Sequence, residues 1–497
     1  MKKLEDFFSV DDNLKNLVVA DIVDDSRKAT FGSMFFAIDG NASNGNIFIQ
    51  DAIKNGAKFV ISYGNKFSVE KRDDVVFIFV TNPRKELARV CSIFWSTNFD
   101  HIIAVTGTNG KSSTVDIVRQ IWINSGINSA SIGTLGIITK DSEIKGSLTS
   151  PGAIALHHIF DNLKKKKIKN IAMEASSHGL DQHRVDNIKF SVCAFTNFTQ
   201  DHLDYHKTFE NYWLAKERLF SELSGDFFVI NSDDIMSKKI EKIAHEKNIK
   251  CISYGKKSDQ IKLISVREID QYQKVKISFF GREIEFDLSL AGDFQVYNSL
   301  CAMGICYATG ISIESICDSL KKLQPINGRL ELVGQHNGAN IYIDYAHTPD
   351  ALKNAILSLR KHTQNRLVVV FGCGGDRDKD KRHLMGKIAK KFADFVIVTD
   401  DNPRSEDPNK IRKMILEGCP KAKEIGDRKE AIKFAIHHLQ PNDILLVAGK
   451  GHEDYQIIKG EKHHLDEREV VDDIAKGIIK NRKMFDKIKG NKNNAVL

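Results

Sequence analysis

One short stretch carries the clearest chemistry in this chain: Gly107, Thr108, Asn109, Gly110, Lys111, Ser112 and Ser113. It follows the apolar run Ile102-Ile103-Ala104-Val105, rich in β-branched residues, which reads as a buried strand. Apolar residues at helical spacing from Val115 to about Trp122 come next. Strand, glycine loop and helix make a cradle for phosphate. Backbone N–H groups and a helix N-terminus face the anion, the lysine neutralises it, and a hydroxyl can reach a divalent cation. The general GxxxxGKS/T pattern is not met, because Val105 stands where its first glycine belongs. An ordinary strand-to-helix turn is the plainer alternative, but it requires neither the lysine nor the hydroxyls.

Two further strands end in groups able to hold a cation or move a proton. Asn170-Ile171-Ala172-Met173 runs into Glu174-Ala175-Ser176-Ser177-His178-Gly179, and Phe190 to Thr196 runs into Asn197 and then Asp201-His202. Ligands bind at the C-terminal edge of a parallel α/β sheet, so Lys111, Ser112, Glu174 and His202 are expected to converge. A helix from about Phe209 to Leu223 carries Lys216. Towards the C-terminus, apolar runs ending at Asp344, Phe371, Thr399 and Ala448 alternate with helical patterns at 384–392, 409–417 and 428–438. That alternation predicts a second, doubly wound parallel sheet.

These elements need more than one core. The 497 residues suggest about three domains, placed at 1–98, 99–329 and 330–497. Short apolar runs at Val18-Val19-Ala20, Met34 to Ile38, Lys58 to Ile61 and Val75 to Val80 read as strands of the first. Asp25-Ser26-Arg27 reads on its own as turn chemistry, and Lys274 to Ser289 as antiparallel hairpins. The composition, 41% hydrophobic and 28% charged, is that of a globular protein. No apolar run reaches the roughly 20 residues of a membrane span, and Met1-Lys2-Lys3-Leu4-Glu5-Asp6 has no apolar core behind its basic residues. The cysteines form no CxxC pair, which suits a reduced cytoplasm. A net charge of +8 is mild over this length. It suits an anionic small molecule as well as nucleic acid, and no basic stripe is interleaved with aromatics.

Gly107-Thr108-Asn109-Gly110-Lys111-Ser112, Glu174-Ala175-Ser176-Ser177-His178-Gly179-Leu180 and Asp344-Tyr345-Ala346-His347-Thr348-Pro349 occur in one chain in this order. With them the sequence resembles the Mur ligases, the ATP-dependent amide ligases of peptidoglycan precursor synthesis. Asp25-Ser26-Arg27, Gln182-His183-Arg184-Val185, Gly372 to Asp378, Asp401-Asn402-Pro403-Arg404 and Gly449-Lys450-Gly451-His452-Glu453 narrow the resemblance to the members that add the third peptide residue.

The resemblance implies a three-domain α/β architecture: a domain for the UDP-linked substrate, a central P-loop-type ATP domain and a C-terminal Rossmann-like domain for the amino acid. The implied reaction joins meso-2,6-diaminopimelate to UDP-N-acetylmuramoyl-L-alanyl-D-glutamate, with ATP and Mg²⁺, in a cytoplasmic monomer without nucleic-acid or membrane partners. The implied ATP contacts are residues 107–113, Asn298, Arg329 and Asp344. Mg²⁺ falls to Ser112, Glu174, His202 and Lys216, the last carbamylated to an N6-carboxylysine. Lys111, Lys216, Glu174 and His202 are the implied catalytic set. Ser26, Thr149, Ser150, Ser176, Gln182 and Arg184 match the positions that hold the UDP-linked dipeptide. Arg377, Asp401, Asn402, Pro403, Arg404, Gly449 and Glu453 match those that hold diaminopimelate. The competing readings are the same ligation with L-lysine, a folylpolyglutamate synthetase-like ligase, and a nucleotide-binding regulatory protein without catalysis.

Overall fold

The structure is a computed structural model and describes residues 2–40, 44–95, 98–146, 148–269 and 272–474. It contains three principal sheets. The first orders Asp21–Val23, Ser33–Phe36, Phe59–Tyr63, Val75–Val80 and Ser68–Arg72, parallel except for the last pair. Val18–Val19 is not part of it. It pairs with Lys2–Lys3 in a separate ribbon, with Val18 exposed and Val19 buried. The Ser68–Arg72 strand has no apolar pattern because it is a solvated edge.

The central sheet has eleven strands with His101–Thr106 in its middle. Asn170–Glu174 and Phe190–Phe195 flank it in parallel. Its apolar run is continuous because both faces are covered. Ile103 and Val105 pack with Ile117, Ile121 and Leu300 on one side, and Ile102 and Ala104 with Leu156 and Phe160 on the other. The sheet continues through Gly225–Asn231 and Lys250–Gly255 into an antiparallel meander, Ile261–Ile269, Tyr272–Phe279 and Arg282–Leu288. The hairpins thus begin earlier than the expected 274. The helix carrying Lys216 runs Phe209–Arg218 and then widens into a π-helical turn, Leu219–Leu223.

The third sheet orders Glu331–His336, Ala339–Asp344, Ile444–Ala448, Leu367–Phe371, Phe395–Val398 and Lys423–Glu424. All but the first are parallel. Pro349–Arg360, Asp380–Phe392 and Pro408–Leu416 cover one face and Arg428–His437 the other, so the sheet is doubly wound as expected. The second of these helices starts at Asp380, four residues before the expected 384. Lys381 and Arg382, charged by type, are buried in its first turn. The expected third domain extends to 497, and its stretch past 474 lies outside the described residues.

Arg428 is the polar pin of this sheet. Its Nε meets Glu467 Oε1 at 2.6 Å with both side chains fully buried. Its Nη2 donates to Ala448 O at 2.8 Å and its Nη1 to Asp400 O at 3.3 Å, tying two strand ends together. Removing the acid strands a buried guanidinium, which costs ~3–5 kcal/mol. Glu467→Ala should therefore lower the melting temperature of the full chain by roughly 10 °C, read by calorimetry.

Candidate active site

The 107–113 loop leaves the middle strand with Gly107 at φ +146° and Gly110 at φ +88°. The next strand end holds it. Thr196 Oγ1 donates to Asn109 O at 2.6 Å, Asn197 Oδ1 accepts from Asn109 N at 2.9 Å, and Thr108 N donates to Asn197 O at 2.8 Å. A β-carbon on Gly107 would lie 2.0 Å from Thr196 Oγ1, and one on Gly110 would lie 2.3 Å from Asn298 Oδ1. Both positions therefore require glycine, by conformation and by space. The Lys111–Asn124 helix begins here with no side chain capping it, so its first N–H groups are available to an anion.

Two lysines end on one carbonyl. Lys111 Nζ donates to Gly107 O at 3.0 Å and to Thr108 O at 2.9 Å, and Lys216 Nζ donates to Gly107 O at 2.7 Å. Burial pushes both amines below the ordinary lysine range, and the Lys111 charge pushes Lys216 further. Lys216 is buried, and no carboxylate lies within ion-pair distance of it among the described residues.

The strand ends converge as expected. Lys111, Ser112, Glu174 and His202 line one cavity of about 530 Å³, together with Asn298, Arg329 and Asp344. Glu174 is aimed by one residue, Thr134, whose N donates to Oε1 at 2.7 Å and whose Oγ1 donates to Oε2 at 3.2 Å. His202 sits at φ +54° with Nε2 3.4 Å from Asp201 Oδ2. Burial pushes its imidazole down to about 3, so the ring is neutral and keeps a nitrogen lone pair. Asp201 is also approached by His347 Nε2 and Lys381 Nζ, each at 3.8 Å. Burial opposes its ionisation, but His202, Lys381 and His347 outweigh that and hold it well below the carboxylate range.

The third unit closes the cavity. Arg329 stacks on Tyr345 at 4.5 Å and donates from Nη2 to Ser112 Oγ at 3.0 Å. Asp344 accepts from Leu330 N and Ala346 N, both at 2.7 Å, and Asn298 Nδ2 donates to Gln295 Oε1 at 2.9 Å. Ser113 is buried on the helix beside Ser112.

The donor set fits a divalent cation of the Mg²⁺ type. Glu174 and Ser112 offer oxygen and His202 a neutral nitrogen. No three His, Cys, Asp or Glu side chains cluster as a cage among the described residues, so further oxygens would have to come from phosphate and from a modified Lys216.

Beside this cavity, five of the six residues expected for the UDP-linked substrate form one network. Thr149 and Thr134 hydroxyls meet at 3.1 Å. Ser150 Oγ donates to Glu174 O at 2.9 Å and accepts from Ser176 N at 3.0 Å. Arg184 Nη1 donates to Ser150 O at 2.8 Å and its Nη2 to Gln182 Oε1 at 2.6 Å. Ser26 stands apart, buried on the Ser26–Lys28 turn of the first unit, with its carbonyl accepting from Asn55 Nδ2 at 2.9 Å. Asp25 and Arg27 do simple turn work, since Asp25 Oδ1 accepts from Arg27 N at 3.1 Å and Arg27 Nε at 2.9 Å.

The third group gathers at the strand ends of the last sheet. Arg404 Nη1 donates to Gly375 O at 2.8 Å, and Arg377 and Arg404 flank Gly374. Asn402 Nδ2 donates to Glu453 Oε2 at 2.9 Å. Pro403 O lies against Gly375, and Gly449 against Asp401. The Asp401 carboxylate is turned into its own loop, accepting from Asn402 N at 2.6 Å. Burial opposes its ionisation, and Lys450 and Arg428 nevertheless hold it below the carboxylate range. Arg404 sits at φ +52°, with Arg404 N donating to Ile457 O at 3.0 Å and Lys459 N to Arg404 O at 2.7 Å. The Tyr455–Ile458 and Glu461–His464 hairpin therefore holds the loop.

Sequence reasoning missed Thr134, Lys381, Arg382 and Lys450. Arg382, fully buried, donates from Nη1 to Glu406 Oε2 at 2.9 Å and from Nη2 to Glu406 Oε1 at 2.8 Å and Gly374 O at 3.2 Å, joining the loops around Arg404.

The Mur ligase middle domain family matches residues 105–306, and the Mur ligase glutamate ligase domain family matches residues 328–451. The UDP-N-acetylmuramoyl-L-alanyl-D-glutamate–2,6-diaminopimelate ligase of Agrobacterium fabrum is 45% identical over 443 residues, covering 88% of this chain and 90% of that one. The protein of the same name from Rickettsia montanensis is 43% identical over 448 residues, covering 88% and 92%. A solved structure bearing that ligase name superposes with a TM-score of 0.68 at 30% identity, over 94% of this chain and 98% of that one. A Mycobacterium tuberculosis folylpolyglutamate synthase complexed with ADP and AMPPCP has a TM-score of 0.62 at 14% identity, covering 74% of this chain and 92% of that one, which is a likeness of fold.

The Gly110 clash gives a direct test of the cradle. Gly110→Ala should weaken binding of an ATP analogue at least ~tenfold, measured by calorimetry, since alanine is strained at this φ and its β-carbon would collide with Asn298 Oδ1. Unchanged affinity in the folded variant would contradict this geometry.

Proposed function

The chain belongs to the Mur ligase family, and on that premise we propose that it joins meso-2,6-diaminopimelate to UDP-N-acetylmuramoyl-L-alanyl-D-glutamate using ATP, as a step of peptidoglycan precursor synthesis. The observation that carries the choice of amino acid is the arrangement of Arg404, Asn402 and Glu453. Diaminopimelate differs from lysine by a second carboxylate at its far end. A guanidinium can take a carboxylate through paired hydrogen bonds, and a carboxylate beside it can take the ammonium of the same head group. Lysine leaves the arginines without a partner. The folylpolyglutamate reading does not account for Asp401 to Arg404 or for Gln182 to Arg184.

The three sheets serve as three domains, bounded near 98 and 329. The first and the Thr149–Arg184 network hold the UDP-linked dipeptide, the central domain holds ATP, and the third holds the amino acid. No helix among the described residues is long and apolar enough to cross a membrane, and we place the enzyme in the cytoplasm as a monomer.

The chemistry starts from a poor acyl donor, the D-glutamyl side-chain carboxylate. The 107–113 loop grips the β- and γ-phosphates through its N–H groups. Lys111 leaves the Gly107 and Thr108 carbonyls to neutralise charge on the transferred phosphoryl group. Asn298, Arg329 and Asp344 hold the nucleoside. Mg²⁺, held by Glu174, His202, Ser112 and a carbamylated Lys216, would supply charge neutralisation on the phosphate oxygens when bound. The carboxylate oxygen attacks the γ-phosphorus, ADP leaves, and the acyl phosphate forms. The free amine of diaminopimelate, anchored at its far end by Arg404, Arg377 and Glu453, attacks the acyl carbon. Phosphate leaves, one proton is lost, and the amide results. The protein supplies no nucleophile.

Lys216 is suited to carbamylation because burial and the nearby Lys111 charge lower its amine's hold on a proton. The unprotonated nitrogen attacks carbon dioxide, an N–C bond forms as one C–O π bond opens, one proton is released, and a neutral amine becomes an anion. That relieves its opposition to Lys111.

The activity is tested by phosphate release with an amino-acid panel. Diaminopimelate should be used at least about a hundredfold better than lysine, and Arg404→Ala should damage diaminopimelate use far more than ATP binding. Equal use of lysine by the native chain would overturn the assignment. For Lys216, protein equilibrated with ¹³C-bicarbonate should show a carbamate carbon signal that is absent in Lys216→Ala. The variant should be inactive and partly rescued by short carboxylic acids. Full activity of native protein freed of carbon dioxide would refute the modification.

A further inference from the structure

Beneath the amino-acid loops lies a lysine that the mechanism above does not use. Lys450 is fully buried, at 0% exposure. Its Nζ donates to Glu453 Oε2 at 3.1 Å and to Asn402 Oδ1 at 3.3 Å. Asn402 Oδ1 also accepts from Ile457 N at 2.9 Å, while Asn402 Nδ2 donates to the same Glu453 Oε2. An ammonium can only donate and a carboxylate can only accept. The lysine and Ile457 N together fix which end of the Asn402 amide faces which neighbour, and the lysine also ties Glu453 Oε2 to that amide.

The outcome is a defined pair of open valences. Glu453 Oε2 is saturated by Asn402 and Lys450, and Oε1 has no hydrogen-bond partner among the described residues. Asn402 keeps one N–H free. One acceptor and one donor, side by side and next to Arg404, match an ammonium and a carboxylate on one carbon. Without the lysine, Ile457 N would still orient the amide, but Glu453 would keep only the Asn402 bond and could swing either oxygen toward it, and the match would blur. A buried lysine of no further use would also be costly, since desolvation penalises its charge.

We infer that Lys450 is a positioning residue for the distal head group of the amino-acid substrate, acting through Glu453 and Asn402 to make the site demand an ammonium beside the carboxylate. This rests on the proposed use of diaminopimelate and extends it from the carboxylate to the amine.

The test compares meso-diaminopimelate with 2-aminopimelate, which keeps both carboxylates and the attacking amine but lacks the distal amine. The native chain should prefer diaminopimelate. Lys450→Met and Glu453→Gln should each reduce that preference in kcat/KM by about tenfold or more, with the KM for ATP unchanged. The double variant should lose little beyond either single one, because the two residues act as a unit. Lys450→Gln, which keeps a donor without the charge, serves if the methionine variant does not fold. Equal losses on both substrates, or additive losses in the double variant, would reduce Lys450 to a structural role and overturn the inference. Failure of the native chain to use diaminopimelate at all would be a separate result, against the proposed activity.

Discussion

Lys111 and Lys216 approach each other on the carbonyl oxygen of Gly107, and the rest of the site follows from that unfinished electrostatics. Like charges brought together out of water are unfavourable unless an anion joins them. Phosphate can answer one lysine, and a carbamate would remove the charge of the other. The glycines allow the backbone to come close enough for this. Thr196 and Asn197 clamp the loop that carries this carbonyl.

The cavity has walls from two sheets. Arg329, at the junction with the third unit, reaches Ser112, and Asp201 of the central unit draws in Lys381 and His347 of the third. Gln200 Nε2 donates to Asp378 Oδ2 at 3.1 Å, and Arg377 Nη1 lies 3.8 Å from Asp204 Oδ2. The central and third units are thus held against each other by polar contacts at strand ends. Apolar packing, by contrast, fills the interiors of the individual sheets. Polar seams of this kind are weaker than apolar cores, which suits a site whose substrates must enter and leave.

Much of this was legible in the sequence because its signals are physically blunt. The strands ending at Thr106, Glu174 and Phe195 are continuous apolar runs, and parallel strands bring their polar C-terminal residues to one edge. Lys111, Ser112, Glu174 and His202 could be brought together on that ground alone. What stayed hidden was the buried polar frame. Arg382 and Lys381 sit in a helical turn whose charged types read as solvated, so the helix start was placed too late. Lys450 lies between two glycines in a stretch with no periodicity. Thr134 gives no signal at all, although it alone aims both oxygens of Glu174. The hairpin that grips Arg404 escaped notice because its strands are only four residues each, and one of them, Glu461–His464, is polar and exposed. Each such role depends on a partner distant in sequence, and hydrophobic patterning does not encode that pairing.

The loops around Arg404 are stitched to one another. Gly375 N donates to Asn402 O at 2.9 Å, Asp376 N to Glu406 Oε1 at 2.6 Å, and Ser405 Oγ to Asp376 Oδ1 at 2.6 Å, with Arg382 beneath. A residue in such a weave cannot change its partner alone. A chain altered at a single stitch loses the old fit without gaining a new one. On the proposed assignment of these loops to the amino acid, a change of preference would have to replace several stitches together, because each holds its neighbours in place.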